Sequence, residues 1–478
     1  MNVSIIRYIL GHIIKLEGFF MLLPCLIAMI FHEKELFTYL AMSVVCILLG
    51  SLLTLKKASN TVFYLKEGCI ATVLSWVALS FFGALPFVIT GEIPSFTDAM
   101  FETVSGFTTT GASILSNVEA LSHTSLFWRS FTHWIGGMGV LVFLLAIVPL
   151  SGGSNMNLMR AESPGPSVGK LVPKMRYTAR ILYIIYFVLT IIELVALLFV
   201  KMPWFDALCI SIGTAGTGGF GILNSSCAAY SASAQWIITI FMILFSINFN
   251  AYYLILFGQI KNALKMEEVR AFLIIVFTAI VFITWDISSM FNNLFEAITA
   301  AAFQVGSIVS STGFATTDFD AWPGFSKTIL VLLMFIGACA GSTGGGIKVS
   351  RIMIYLKQVG KELMQQIHPR RVHVLKMDGK EIPHATAHSC NVLLMTYVVV
   401  FIASYLLVSL DGFDTTTNFT AIVATLNNIG PGLNMVGAVG NFSAFSDFSK
   451  FILMFDMLAG RLEIIPMLLL FYPSTWKK

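Results

Sequence analysis

Charged side chains are scarce in this chain. Asp, Glu, Lys and Arg make up 11% of its 478 residues, against roughly 25% in soluble globular domains. Too few charges remain to cover a water-facing surface, and the composition points to an integral membrane protein. The cysteines are few and unpatterned: Cys25, Cys46, Cys69, Cys209, Cys227, Cys339 and Cys390 form no CxxC pair and no zinc-like spacing. That excludes a disulfide framework, and most of these thiols sit in apolar stretches as small hydrophobes. The eight histidines are dispersed, and no catalytic triad, metal-ligand cluster or cofactor fingerprint stands out. Neither enzymatic activity, a cofactor nor a nucleic-acid partner is expected. The N-terminal apolar run lacks an A-x-A cleavage site and continues past any short signal core, so it reads as a retained span.

What the chain does have is apolar length, with 57% hydrophobic residues. A membrane crossing takes about 20 such residues, which gives about ten spans at roughly 13–31, 36–55, 69–90, 126–150, 180–201, 234–258, 269–290, 327–356, 387–410 and 449–473. Lys and Arg concentrate in alternate links: Lys56, Lys57 and Lys66; Arg160, Lys170, Lys174 and Arg176; Lys261, Lys265 and Arg270; and Lys357 to Lys380. The opposite links carry little beyond residues near span ends, such as Lys34, Arg129, Lys201, Lys327 and Lys450. The positive-inside rule then predicts both termini in the cytoplasm.

Four of the non-basic links hold a short semi-apolar segment and a glycine-bearing turn. They read "SFTDAMFETVSGFTTTGAS" (95–113), "WFDALCISIGTAGTGGFGI" (204–222), "LFEAITAAAFQVGSIVSSTGFATTDF" (294–319) and "NFTAIVATLNNIGPGLN" (418–434). Non-helical backbone at membrane depth must line a protein-enclosed or watery cavity. Four such turns entering from one side can converge on an axis, and their carbonyl oxygens can replace a cation's hydration shell. Short helices with their C-termini inward add partial negative charge there. For one turn alone, an ordinary glycine loop is the simpler reading; the fourfold recurrence favours a pore.

Several motifs together resemble the Trk/Ktr/HKT superfamily of cation transporters, in its bacterial TrkH branch. They are "SGFTTTGAS", "WRSFTHWIGGMGVLV" (128–142), "STGFATTDF" (311–319), "GSTGGGIK" (341–348), "HPRRV" (368–372), "LNNIGPGL" (426–433) and "LAGRLEI" (458–464). The resemblance implies an all-α integral membrane protein. Four pseudo-repeated span–pore helix–span units would surround one central pore, with two extra N-terminal transmembrane helices. The expected divisions are 1–66 for the extension, then 67–178, 179–266, 267–383 and 384–478 for the units. It also implies one filter glycine per unit: Gly111, Gly219, Gly313 and Gly430. Gly218 and Gly432 compete in the second and fourth. Thr110, Gly218, Thr312, Asn428 and Ile429 complete the expected K⁺ site, a set of backbone carbonyls. A glycine rather than a serine at 111 resembles the potassium-selective type. Asn427, Asn428 and Pro431 depart from the hydroxyl pattern, so the filter should be asymmetric and moderately selective.

The glycine-dense centre of 335–352 should not hold a regular helix, since each glycine costs up to about 1 kcal/mol there. By resemblance, Gly341, Ser342, Thr343, Gly344, Gly345 and Gly346 form an intramembrane gate below the filter; close helix packing is the alternative. The stretch is not a P-loop, because Ile347 interrupts the motif before Lys348 and no strand precedes it. Arg461 either faces the pore as a barrier or pairs with Asp456 or Glu463. Glu102 either adds negative potential at the outer mouth or anchors its short helix. His133 reads as a packed or interfacial residue. The implied function is inward potassium transport driven by the membrane potential, about 2.3 kcal/mol per monovalent cation at 100 mV. The alternatives are a proton- or sodium-coupled secondary transporter, or a membrane enzyme or receptor acting through the polar link at 151–178. Implied partners are membrane lipid, a second copy in a homodimer, and a TrkA-like cytosolic nucleotide-binding ring on the segment 368–383. The implied location is the bacterial cytoplasmic membrane.

Overall fold

The structure is a computed structural model that describes residues 2–56, 64–139, 175–370 and 373–476. Among the described residues the regular structure is helical apart from a two-stranded hairpin, β1 (Lys376–Met377) with β2 (Lys380–Glu381). The polar link at 151–174 and the part of the expected 126–150 span beyond Gly139 lie outside the described residues.

Helices α1 (Val3–Phe20), α2 (Leu22–Phe31) and α3 (Leu36–Leu55) come first. Here α1 and α3 approach through small residues: a methyl on Gly50 would stand 2.5 Å from the Gly11 carbonyl oxygen, the close backbone contact that membrane helices use in place of a hydrophobic drive.

A three-part order then recurs four times. The long helices are α4 (Leu65–Thr90), α7 (Met175–Phe199), α12 (Glu267–Ile287) and α16 (His384–Val408). Each is followed by a short one: α5 (Phe96–Phe107), α8 (Trp204–Gly216), α13 (Leu294–Val309) and α17 (Thr415–Leu426). The third member is α6 (His123–Met138), α9 (Ala232–Phe245), α14 (Gly324–Ile336) or α18 (Asp447–Arg461). Starts are set locally by side-chain caps. Ser95, Asn293 and Asp414 accept from the backbone of three short helices, and Ser122, Ser231 and Ser446 do so for three of the third members.

Of the ten expected spans only the one at 327–356 is expected to be broken; the structure interrupts others as well. Among the described residues six helices are long and apolar enough to cross a membrane, seven if the bent pair α9 with α10 (Phe249–Leu256) counts as one. The third member of every unit stops early. At 1.5 Å per residue its longest example, 16 residues, reaches about 24 Å, short of the roughly 30 Å hydrocarbon core. The α9–α10 pair bends by 91°. Beyond α14 an irregular stretch precedes α15 (Val349–Ile367), and beyond α18 the chain breaks before α19 (Ile465–Phe471). Hydropathy averages across such breaks, so only the glycine-dense one before Lys348 is visible in the sequence.

Burial is inverted relative to a soluble protein. Leu48, Phe277 and Val399 on long helices are exposed, at 63%, 69% and 66%, as suits a lipid-facing surface. Thr108, Thr109, Thr110, Ser310, Ser311, Thr312, Asn427 and Asn428 are fully buried.

Candidate functional site

The buried hydroxyls and amides mark the ends of the short helices, and all four helices end alike. The amides of Thr110, Gly218, Thr312 and Ile429 donate to the carbonyls five residues back, at 2.9, 3.0, 2.9 and 2.8 Å. This is the Schellman closure, which demands a left-handed residue just before the bond's donor. Thr109, Thr217, Ser311 and Asn428 supply it, with φ of 56°, 54°, 58° and 55°. Two residues on, Gly111, Gly219, Gly313 and Gly430 are left-handed again, at 78°, 73°, 88° and 97°.

Those glycines join the four turns into a closed circuit. A methyl on Gly111 would lie 2.1 Å from the Gly218 carbonyl oxygen, one on Gly219 1.9 Å from Thr312, and one on Gly313 2.2 Å from Ile429. A methyl on Gly430 would lie 2.7 Å from the Thr110 carbonyl oxygen, which returns to the first turn. Only glycine fits both the torsion and the approach. The competition at the second and fourth turns is thereby resolved. Gly219 and Gly430 are the left-handed, ring-contacting residues, while Gly432 packs near Thr420 and Val436. Gly218 instead contributes the carbonyl. All nine expected filter residues, Thr110, Gly111, Gly218, Gly219, Thr312, Gly313, Asn428, Ile429 and Gly430, therefore belong to one ring.

Side chains brace it. The hydroxyls of Thr108 and Thr110 lie 2.8 Å apart, and those of Ser310 and Thr312 2.6 Å. In the fourth turn the Asn428 amide does this work, donating to Thr110 Oγ1 and to the Met457 carbonyl, both at 2.9 Å. Glu102 is an anchor, not an outer-mouth charge. It is 1% exposed, meets Arg129 at 2.6 Å, and accepts from Ser113 and the Ile114 amide. Sequence reasoning set Arg129 aside as a span-end residue; its guanidinium is 98% buried and also donates to the Gly221 carbonyl.

Against the helix ends lies the irregular stretch from Gly337 to Lys348, wider than the expected Gly341–Gly346. A methyl on Gly344 would lie 2.6 Å from the Ser310 carbonyl oxygen, and one on Gly345 2.4 Å from that of Asn427. Ser311 Oγ accepts from the Gly345 amide. Arg461, the last residue of α18, donates to the carbonyls of Thr343, Gly136 and Gly137. It is thus tied to the stretch, while Asp456 accepts from Ser404 and Glu463 pairs with Arg351. Lys348, left-handed and buried, folds its ammonium back onto the Gly344 carbonyl. Nothing in the sequence singles out Glu268, yet its Oε1 accepts from the Ala340 amide at 2.6 Å, within the stretch, and from the Ser350 amide at 3.2 Å, just beyond it. The sequence shows only a carboxylate where an apolar helix begins.

Long lipid-facing helices around a polar interior that ends in a closed ring of main-chain oxygens define an integral membrane transport protein. The chain belongs to the TrkH family of cation transport proteins, whose sequence model matches residues 36–478. It is 36% identical, with all of both chains covered, to the Trk system potassium uptake protein TrkH of Salmonella typhimurium and to that of Escherichia coli K12. The crystal structure of the potassium transporter TrkH from Vibrio parahaemolyticus superposes with a TM-score of 0.89 at 32% identity, covering all of both chains.

Proposed function

We propose that this protein takes up potassium through a channel-like pore whose filter is the four-turn carbonyl ring. The circuit of glycine-to-carbonyl contacts from Gly111 round to Gly430 carries the reading. Main-chain oxygens on a shared ring suit a weakly hydrated alkali cation, and four helix C-termini add favourable dipole. Four units of long helix, short helix and broken helix surround the pore, with residues 1–66 as an added pair of helices. The stretch around Gly341 to Gly346, with Arg461, is the gate below the filter. Both termini face the cytoplasm of a bacterial cell, the protein is a homodimer, and a TrkA-like nucleotide-binding ring docks near 368–383. The relatives' names, which speak of a Trk system, and the basic links support this arrangement.

Rubidium uptake into vesicles carrying the purified chain tests the filter. Gly111→Ser should shift preference from potassium and rubidium toward sodium; an unchanged preference overturns the role of Gly111. Uptake that also demands a proton or sodium gradient would replace the channel-like reading with a coupled one.

A further inference from the structure

One unit of the ring is built unlike the rest, and a histidine from another element fills the difference. In the first turn, the carbonyl-bearing residue and the residue two before it are Thr110 and Thr108; in the third they are Thr312 and Ser310; in the fourth, Ile429 and Asn427. In the second turn both are glycine, Gly218 and Gly216. Their missing side chains leave no void. A methyl on Gly218 would fall 2.1 Å from Cγ and 2.2 Å from Nδ1 of the His133 ring, and one on Gly216 would fall 2.3 Å from the His133 main-chain carbonyl oxygen.

The imidazole is fully buried and its ring centre lies 4.2 Å from that of Phe220. Nδ1 is 2.7 Å from the Gly106 carbonyl, and the Phe220 amide donates to Nε2 at 3.3 Å. A carbonyl can only accept and an amide only donate, so these partners select one neutral tautomer, protonated on Nδ1. The ring is therefore a strut. One end holds α5 one residue before its last, and the other holds the residue directly after the ring glycine Gly219. One helical turn earlier, Arg129 covers the same residue, 4.1 Å above the Phe220 ring.

We propose that His133 is the positioning residue that sets cation specificity at the second turn, its imidazole standing in for the side chain that Gly218 lacks. The proposal rests on reading the ring as the filter. Three of the four residues from Gly216 to Gly219 are glycine, which leaves this backbone little stiffness of its own. Held by His133, the Gly218 carbonyl keeps its place; without it, the spacing that separates potassium from smaller cations relaxes.

The test is sodium competition against rubidium uptake in vesicles carrying the full chain, for H133A, G218T and the double variant. H133A should lower the preference for rubidium over sodium by about tenfold, the size of one or two lost neutral hydrogen bonds. G218T should abolish uptake, since the threonine has no room beside the imidazole. The double variant should recover preference beyond both single variants, because the side chain then grows from the turn itself. Should H133A fail to fold, the double variant must still restore folding and preference together. An unaltered preference in H133A, or a double variant no better than the worse single, overturns the proposal. If Gly111→Ser changes preference while these do not, the filter stands and the role of His133 falls; if neither changes it, the filter reading itself fails.

Discussion

At the residue scale, the cost of the ring lies in its backbone. Left-handed torsions at Thr109, Thr217, Ser311 and Asn428 each oppose the preference of L-residues by about 1–2 kcal/mol, and threonine is among the least suited to them. Buried hydrogen bonds and the neighbouring turn offset that strain, so the ring tolerates little added volume. Gly430→Ala would place a methyl 2.7 Å from the Thr110 carbonyl oxygen at a left-handed position. It should abolish uptake and lower the melting temperature in detergent. Gly360→Ala is the counterpart: it lies within α15 with nothing within 4 Å, and should stabilise the helix by about 0.5–1 kcal/mol with uptake intact. Equal damage from both substitutions would contradict the packing described. Gly111 and Gly313 stand beside Thr110 and Thr312 at the ends of short apolar runs, whereas Gly219 and Gly430 are singled out only by resemblance to the family's motifs. His133 was not legible in the sequence: its role depends on side chains absent from a distant turn, and the doublet Gly218–Gly219 gave no hint of which glycine made room for it.

At the scale of elements, the breaks matter more than the helices. The glycine density before Lys348 announced one of them, although the irregular stretch reaches back to Gly337. The bend between Phe245 and Phe249 carried no such signal: it contains neither glycine nor proline and is fixed by contacts made elsewhere. The break from Leu462 to Ile464 lies between Gly460 and Pro466, the latter in the first turn of α19. The Ser246 carbonyl accepts from Cys339 and the Phe245 carbonyl from Thr343, so the bend in α9–α10 exists to hold the stretch beyond α14. From the first turn of α12, Glu268 ties the interior of the same stretch at Ala340 to the start of α15 at Ser350. Its truncation to alanine removes both contacts and should raise basal rubidium uptake several-fold in vesicles without any regulatory partner; unchanged or lower basal uptake would show that the stretch is held by its other bonds alone.

Across the whole molecule, the loops flanking the short helices repeat the ring's order. Asn224 joins the first and second units through Val118, Glu119 and Asn117; Cys227 bonds Ala315; Asn434 bonds Asp320; and Phe442 bonds Ser113. The N-terminal helices join this circle through Glu33, which accepts from the amides of His123 and Thr124 and from the Thr124 hydroxyl at the start of α6. Burial raises the Glu33 carboxyl, but the hydrogen bonds from Thr124 and His123 outweigh it and hold it below its ordinary value. A carboxyl lowered by folding contributes stability above its unfolded value, near 4.3, and loses it as pH falls through the folded value. The melting temperature should therefore drop on acidification below about pH 4, and E33Q should flatten that drop; an identical acid response in E33Q would remove Glu33 from the account. The unit order and its basic links were readable from the chain, whereas these clasps join residues from 88 (Cys227 to Ala315) to 329 (Phe442 to Ser113) positions apart and leave no local trace.

The circuit from Gly111 to Gly430 is written once, in a single polypeptide. An assembly of identical subunits must accept any altered codon at every corner simultaneously. Here each corner is encoded separately, so one quarter of the ring can be altered while three remain as they were, and the second and fourth turns do differ from the other two.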